Sequence, residues 1–266
     1  MTNARRRLVL LLHACIGAWL PAASAQPPEP VPVIAAASDL KFALDDLIAA
    51  FRGETGREVR VSYGSSGNFY RQILQDAPFQ LFLSADEDFV FRLADQGRTA
   101  DRGRRYAIGR LALFAPNGSA VQVDPDLTDL RRALADGRLS RLAIANPDHA
   151  PYGRAAREAL ERTGLWASAQ PRLVLGENVS QAAQFAASGS AQAGLFALSL
   201  ALAPAFSAAG RHAVVSDALH APLSQRMVLI RNAGGTARAF YDYLERPAAR
   251  RVLARYGFAL PDDPPR

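Results

Sequence analysis

Apolar positions in the first third of the chain follow two alternating periods. Val31–Ala37 is a mostly apolar run of strand length, and the segment after it carries apolar side chains three and four residues apart as far as Phe51. Short apolar runs recur at Val59–Tyr63 and Leu81–Leu83, and each is followed by a segment with helical spacing. A strand followed by a helix, repeated in this way, predicts a parallel sheet with helices on its faces.

A second series of strands and helices begins after Leu111–Ala115, where Pro116, Asn117 and Gly118 form a turn signal. Its predicted strands are Leu142–Ala145, Leu173–Leu175 and Gly194–Phe196, and its predicted helices are Leu127–Leu134, Tyr152–Thr163 and Val179–Ala187. Met227–Ile230 is predicted to return across the molecule as a strand, followed by a helical tail from Ala237 to Tyr256. We therefore predict two α/β lobes, residues 26–108 with 233–266 and residues 109–232, joined by crossing strands near Arg110–Ala115 and Met227–Asn232.

The N-terminal segment has the three parts of a secretory signal. Arg5, Arg6 and Arg7 precede the mainly apolar stretch Leu8–Leu20, and Ala23-Ser24-Ala25 is a small-residue cleavage site, so residues 1–25 are predicted to be removed on export. The apolar stretch is shorter than the ~18 residues that a membrane span needs. An alternative interpretation is a lipoprotein site at Cys15, for which His13 is a poor fit; Cys15 is the only cysteine, so the mature chain has no thiolate metal site.

Charge argues against a nucleic-acid partner. Loss of the three signal arginines lowers the formal net charge from +6 to +3. The basic runs Arg102–Arg105 and Arg131-Arg132 are short and contain no interleaved aromatic residues. Solvated surface is the better interpretation of both runs.

Candidate binding residues stand where predicted strands give way to helices: Ser38, Ser66, Tyr152 and Val179. Ligands bind open α/β sheets at this edge. The first N–H groups of a helix have no partner within it and carry a partial positive charge, so converging helix starts can bind an anion without arginine or lysine. The serines and Tyr152 add hydroxyl donors, and Val179 offers its backbone N–H. Such donors suit a fully ionised oxyanion, because an anion with its own proton would need an acceptor.

Each of these residues also has a purely structural explanation. A serine before a helix is often an N-cap. Tyr152 beside Pro151 could be a packing or hinge aromatic, and Val179 could be a core valine. Spacing alone does not choose between the structural and the binding roles.

Several segments, in this order along the chain, resemble periplasmic molybdate-binding proteins over nearly the whole mature sequence. They are AAASDL (Ala35–Leu40), YGSSGNFYRQI (Tyr63–Ile73), APFQLFLSADE (Ala77–Glu87), NPDHAPYGRAAREAL (Asn146–Leu160), GENVSQA (Gly176–Ala182), AFYDYL (Ala239–Leu244) and ARYGF (Ala254–Phe258). The resemblance implies a two-lobed periplasmic binding protein fold of type II. Each lobe is then a mixed, mainly parallel sheet flanked by helices, with the ligand in the interlobe cleft.

The resemblance also implies a function. Such a protein is not an enzyme: it captures molybdate, and also tungstate, in the periplasm and delivers it to an inner-membrane ABC permease. It is expected to be a monomer with no cofactor and no direct metal-cation ligands, since its residues contact the oxyanion. The closest alternative is a binding protein for another tetrahedral oxyanion such as sulfate.

The resemblance also implies which residues bind the ligand. Matched position by position, the ligand hydroxyls of the first lobe are those of Ser38 and Ser66. The ligands of the second lobe are Tyr152 and the backbone of Val179. Ala197 stands where some relatives place a ligand tyrosine, and Tyr152 looks like its substitute. A carboxylate beside a dianion would repel it. We therefore expect Asp39 to turn away toward its own helix start and to leave only its N–H near the ligand.

Two further function classes stay open at this point. An enzyme would need a catalytic arrangement, and the histidines show no metal or triad spacing, although Asp148-His149 lies close to Tyr152. A regulatory sensor domain is the other class, against which the predicted export signal argues.

Overall fold

The computed structural model describes residues 30–261 and contains two five-stranded sheets flanked by helices. The strands are β1 (Val33–Ala37), β2 (Arg60–Gly64), β3 (Phe79–Ser84), β4 (Arg104–Gly109), β5 (Leu111–Pro116), β6 (Leu142–Ala145), β7 (Leu173–Gly176), β8 (Ala193–Ala197), β9 (Gly210–Val214) and β10 (Leu223–Leu229). The helices are α1 (Lys41–Thr55), α2 (Ser66–Leu74), α3 (Glu87–Asp95), α4 (Thr128–Ala135), α5 (Pro151–Arg162), α6 (Trp166–Ala169), α7 (Val179–Ala187), α8 (Leu198–Ala201), α9 (Pro204–Ser207), α10 (Gly235–Leu244) and α11 (Pro247–Arg255).

The two sheets have equivalent topologies. Their strand orders are β2-β1-β3-β10-β4 and β7-β6-β8-β5-β9. Four strands of each sheet run in one direction, and the fifth, β10 or β5, is antiparallel to both of its neighbours. That fifth strand is in each case the first strand after the chain has crossed from the other lobe. The predicted two-lobed fold with mixed, mainly parallel sheets is confirmed.

Helices cover both faces of the sheet in the first lobe and bury its apolar side chains. Along β1, Ile34 and Ala36 belong to one apolar cluster with α1, α10 and α11, and Ala35 belongs to a second cluster with α2 and α3. Because successive side chains of a strand point to opposite faces, a strand covered by helices on both sides reads as a continuous apolar run. Helix α1 ends at Gly56, whose φ of 68° is the left-handed conformation of a helix C-terminus.

The C-terminal helices lie on the first lobe. Phe240 of α10 contacts Phe51 of α1 edge-on, with ring centroids 5.0 Å apart, and α11 also packs against α1. The predicted helical tail consists of two helices, and α11 begins with Pro247 in its first turn. Proline is tolerated there because it lacks only an N–H that would have no helical partner.

The predicted second lobe, residues 109–232, extends too far. Strand β10 pairs with β3 and β4 and therefore belongs to the first sheet. The chain crosses between the lobes at Arg110, between β4 and β5, and again in the connection from β9 to β10. The strands β5 and β10 therefore lie within the sheets, whereas the sequence predicted them as the crossing segments themselves. Arg102–Arg105, interpreted from sequence as surface, includes the exposed start of strand β4.

The predicted signal peptide and Cys15 lie outside the described residues. Between residues 30 and 261, no helix combines the length and the apolar character that crossing a membrane requires.

Candidate anion-binding site

A small cavity lies between the lobes, where the strand ends of the first sheet meet the helix starts of the second. It is lined by Ala37, Ser38, Asp39, Gly64, Ser65, Ser66, Ala85, Ala150, Pro151, Tyr152 and Val179. Its volume of about 10 Å³ is close to what one water molecule needs. The two lobes are thus closed against each other here. All four candidate residues from the sequence are in this lining.

The two serines of the first lobe are not the N-caps that their positions suggested. Ser65, not Ser66, caps α2 by accepting a hydrogen bond from the N–H of Asn68. Ser66 is fully buried, and its hydroxyl oxygen accepts from the N–H of Ala85 at 3.0 Å. The proton of the Ser66 hydroxyl therefore remains available to a ligand.

Ser38 is engaged differently. It begins the single 3-10 turn after β1, and its side chain makes no cap. Its hydroxyl donates to Asn178 Oδ1 at 3.0 Å and accepts from the N–H of Ser180 at 3.2 Å, both across the lobe interface. In this closed form the Ser38 proton already joins the lobes, so it would have to leave Asn178 to reach an anion.

The second lobe contributes two helix starts. Tyr152 lies in the first turn of α5 after Pro151, and Val179 is the first residue of α7 after its N-cap Asn178. The N–H groups in these positions have no acceptor within their own helices. Both side chains are buried, and the Tyr152 hydroxyl lies 3.3 Å from Gln225 Nε2.

The lining contains no arginine, lysine or histidine side chain, and its one ionisable acid is Asp39. The Asp39 carboxyl, which was expected to turn toward its own helix start, also has partners beyond that start. Asp39 is buried, and its Oδ2 accepts from Gln225 Nε2 at 2.6 Å. The Tyr152 hydroxyl and the N–H groups of Asp39 and Leu40 also act on the carboxyl. Burial raises the pKa of Asp39 to about 6, against the opposing hydrogen bonds from Gln225 and Tyr152.

Sequence reasoning missed the polar network behind the cavity. Tyr106 on β4 donates to Gln225 Oε1 at 2.6 Å, and Gln225 on β10 is fully buried. Burial, with the nearby charge of Asp39, raises the pKa of both Tyr106 and Tyr152 well above the usual range, so both phenols keep their protons. No pattern in the sequence marks Gln225, because its importance comes from strands far apart in the chain.

Contacts around the cavity tie the lobes together. The N–H of Gly67 donates to the carbonyl of His149 at 2.9 Å, and Arg154 pairs with Asp86 at 2.9 Å. His149 Nδ1 lies 2.9 Å from Ser65 Oγ, while its Nε2 is 3.6 Å from the exposed carboxylate of Glu177, too far for a hydrogen bond. His149 is therefore accounted for by the lobe interface. No cluster of potential metal ligands occurs among the residues that the structure describes.

Comparison with known proteins identifies the family. The model of the bacterial extracellular solute-binding protein family matches residues 32–259. The chain belongs to this family. Its members bind solutes and are not enzymes, so the function class is a solute-binding protein.

Relatives of this solute-binding protein cover nearly its whole length. It is 34% identical over 251 residues to the molybdate-binding protein ModA of Rhodobacter capsulatus, which covers 93% of each chain, and 34% identical over 263 residues to ModA of Azotobacter vinelandii, which covers 98% of this chain and 100% of the relative. The solved structure of the Azotobacter vinelandii periplasmic molybdate-binding protein superposes with a TM-score of 0.79 at 32% identity, over 87% of this chain and 100% of that one. The sulfate-binding protein SubI of Mycobacterium tuberculosis shares the fold at 16% identity, with a TM-score of 0.70 over 87% of each chain.

Ala197 does not enter the cavity of this solute-binding protein. It is fully buried at the end of β8, and it is absent from the lining. Tyr152 is the one phenol among the lining residues.

Proposed function

We propose that this solute-binding protein captures molybdate, and also tungstate, in the periplasm and delivers it to an inner-membrane ABC permease. The observation that carries the proposal is the convergence of Ser38, Ser66, Tyr152 and Val179, two from each lobe, on one buried cavity whose lining has no cationic side chain. Hydroxyl groups and helix-start N–H groups supply the attraction for an anion there. The relatives that span the whole chain are named for molybdate.

The proposed ligand contacts are hydrogen bonds to oxygen. In a tetrahedral oxyanion the metal is enclosed by its own oxygen atoms, so the protein needs no metal-cation ligand and no cofactor. The two serine hydroxyls differ in whether their proton is available to a ligand. In the closed form the Ser66 proton has no acceptor in the part of the chain that the structure describes, whereas the Ser38 hydroxyl donates its proton to Asn178. We expect a monomer, exported through the N-terminal segment predicted as a signal peptide.

Calorimetric titration of the purified protein with molybdate, tungstate, sulfate and phosphate tests the proposal. Molybdate and tungstate should saturate one site, and sulfate and phosphate should bind at least about tenfold more weakly, a difference of about 1.4 kcal/mol. Tighter binding of sulfate would favour the alternative oxyanion function. No binding of any of the four anions would overturn the proposal.

A further inference from the structure

The lining of the cavity proposed to hold a dianion includes an acidic residue, Asp39. Asp39 is 1% exposed, and its lining neighbours include no cationic side chain. In a desolvated space, a carboxylate and a dianion repel each other far more strongly than in water. Both charges therefore cannot persist there without compensation.

The hydrogen bonds of Gln225 leave one donor that can compensate either charge. Gln225 Oε1 accepts the proton of Tyr106, which turns Gln225 Nε2 toward Asp39 Oδ2 at 2.6 Å and the Tyr152 hydroxyl at 3.3 Å. The Tyr152 oxygen is then an acceptor toward Gln225, and its single proton can go either to the Asp39 carboxylate or to an anion. The anion and Asp39 compete for this donor.

One oxygen of the carboxyl stands apart from this network. Asp39 Oδ1 is buried without a hydrogen-bond partner among the described residues. A proton on Oδ1 would neutralise the carboxyl, free the Tyr152 proton for the ligand and turn Asp39 itself into a donor. Oδ2 would keep its bond from Gln225 Nε2.

We propose that Asp39 takes up one proton from solvent at Oδ1 when the cavity binds a dianionic oxyanion, so that oxyanion binding and protonation of this carboxyl are coupled. The inference rests on the proposed function. The proton comes from the buffer and bonds to Oδ1, and no other covalent bond changes.

The surroundings of Asp39 favour its neutral form. Burial raises the pKa of Asp39 to about 6, and a bound dianion raises that pKa further. Tyr106 and Tyr152 are the titratable groups that face the carboxyl, from β4 and α5. Helices α7 and α8, which pack against the turn of Asp39, carry no titratable side chain, and Lys41 of α1 is exposed and paired with Asp45 at 3.0 Å.

Calorimetry in two buffers of different ionisation enthalpy counts the protons bound with molybdate. Near pH 7.5, where free Asp39 is mostly ionised, the wild-type protein should take up about one proton per molybdate. Its affinity should fall by up to about tenfold per pH unit above about pH 6. Asp39→Asn carries an amide that mimics the protonated acid, so this variant should take up no proton and should bind roughly 10- to 100-fold more tightly than wild type at about pH 8, with equal affinities near pH 5.

Two control variants identify the group that takes up the proton. Asp148→Asn makes the same chemical change at an exposed acid and should leave proton uptake at the wild-type value. His149→Gln removes the histidine that is hydrogen-bonded to Ser65 of the lining, and proton uptake should persist. Uptake lost in His149→Gln and kept in Asp39→Asn would assign the proton to the histidine and overturn the inference.

The remaining outcomes separate the two proposals. Molybdate binding without proton uptake by the wild-type protein would overturn the role of Asp39 and leave the proposed function standing. Weaker binding by a folded Asp39→Asn variant at about pH 8 would also overturn that role. Absence of molybdate binding at every pH would overturn both.

Discussion

At the scale of single residues, the hydroxyls of Ser38, Ser66 and Tyr152 are not equivalent. Ser38 donates its proton across the lobe interface to Asn178, and Ser66 keeps its proton while accepting from Ala85. Tyr152 accepts from Gln225 and can donate its proton either to Asp39 or to a ligand. A hydroxyl at the cavity is therefore useful as a donor only to the extent that its other partners leave its proton free.

Tyr152→Phe should weaken molybdate binding by roughly 10- to 150-fold, because a hydrogen bond to a charged group is worth about 1.5–3 kcal/mol. The ring stays in place, so the melting temperature without ligand should change little. Calorimetric titration measures the affinity. An affinity within about twofold of wild type would show that Tyr152 is a packing residue and not a ligand.

Asp39→Asn should stabilise the ligand-free protein in a pH-dependent way. The pKa of Asp39 is raised from 3.8 to about 6 in the folded chain. A raised pKa means that the folded state loses stability as pH rises through about 4 to 6, and that no penalty remains below the unfolded pKa. The variant should therefore exceed wild type by up to about 3 kcal/mol at about pH 8, and the difference should vanish near pH 4.

Urea denaturation at several pH values measures this difference. Asp148→Asn serves as the control, because that side chain is exposed and should show no such trend. An Asp39→Asn variant less stable than wild type at about pH 8 would contradict the burial cost assigned to the carboxylate.

At the scale of elements, closure depends on how near the start of α2 comes to the loop before α5. The N–H of Gly67 donates to the carbonyl of His149 across the interface, and a Cβ added at Gly67 would lie 2.6 Å from that oxygen. The clash is with backbone and cannot be relieved by a rotamer change. The contact between the lobes therefore requires glycine at position 67, whereas helix α2 does not.

Gly67→Ala should therefore weaken molybdate binding by at least about tenfold, since the lobes cannot reach the closed distance without cost. The isolated fold of each lobe should be kept, because alanine favours a helix. Gly53→Ala in α1 is the matched control: a Cβ there meets nothing within 4 Å, and its affinity should equal wild type. Unchanged affinity in Gly67→Ala would show that this contact does not belong to the binding form.

At the scale of the whole molecule, two crossings link the lobes, and the ligand groups come from both sides. Binding must therefore favour the closed arrangement over more open ones. A ligand can shift the equilibrium between open and closed forms only by the difference between its affinities for the two forms.

Saturating molybdate should reduce the radius of gyration in small-angle X-ray scattering. It should also stabilise the fold by about 2.7 kcal/mol at 100 times the dissociation constant. Sulfate at the same concentration is the comparison, with a smaller effect on both readouts. Identical scattering with and without saturating molybdate would count against closure.

The sequence by itself determined the elements whose patterns are local. The buried run of β1 and the apolar spacing of α1 follow from short-range periodicity, and they suffice for an α/β lobe built twice. The positions of Ser66 and Tyr152 at helix starts are equally local, since a strand end followed by a helix is visible in the sequence. Their convergence on one cavity was predictable only through the fold that the resemblance implied.

Tertiary structure alone decided the features that depend on long separations. Strand β10 lies in the first sheet, where it pairs antiparallel with β3 and β4. The spacing of apolar residues along the chain does not predict which strands pair. The Asp39 carboxyl has its partner in Gln225, 186 residues away, whose buried Nε2 donates to Oδ2. A carboxyl's orientation is set by which partners the fold brings within hydrogen-bond reach, and those partners are unknown until the strands are assembled.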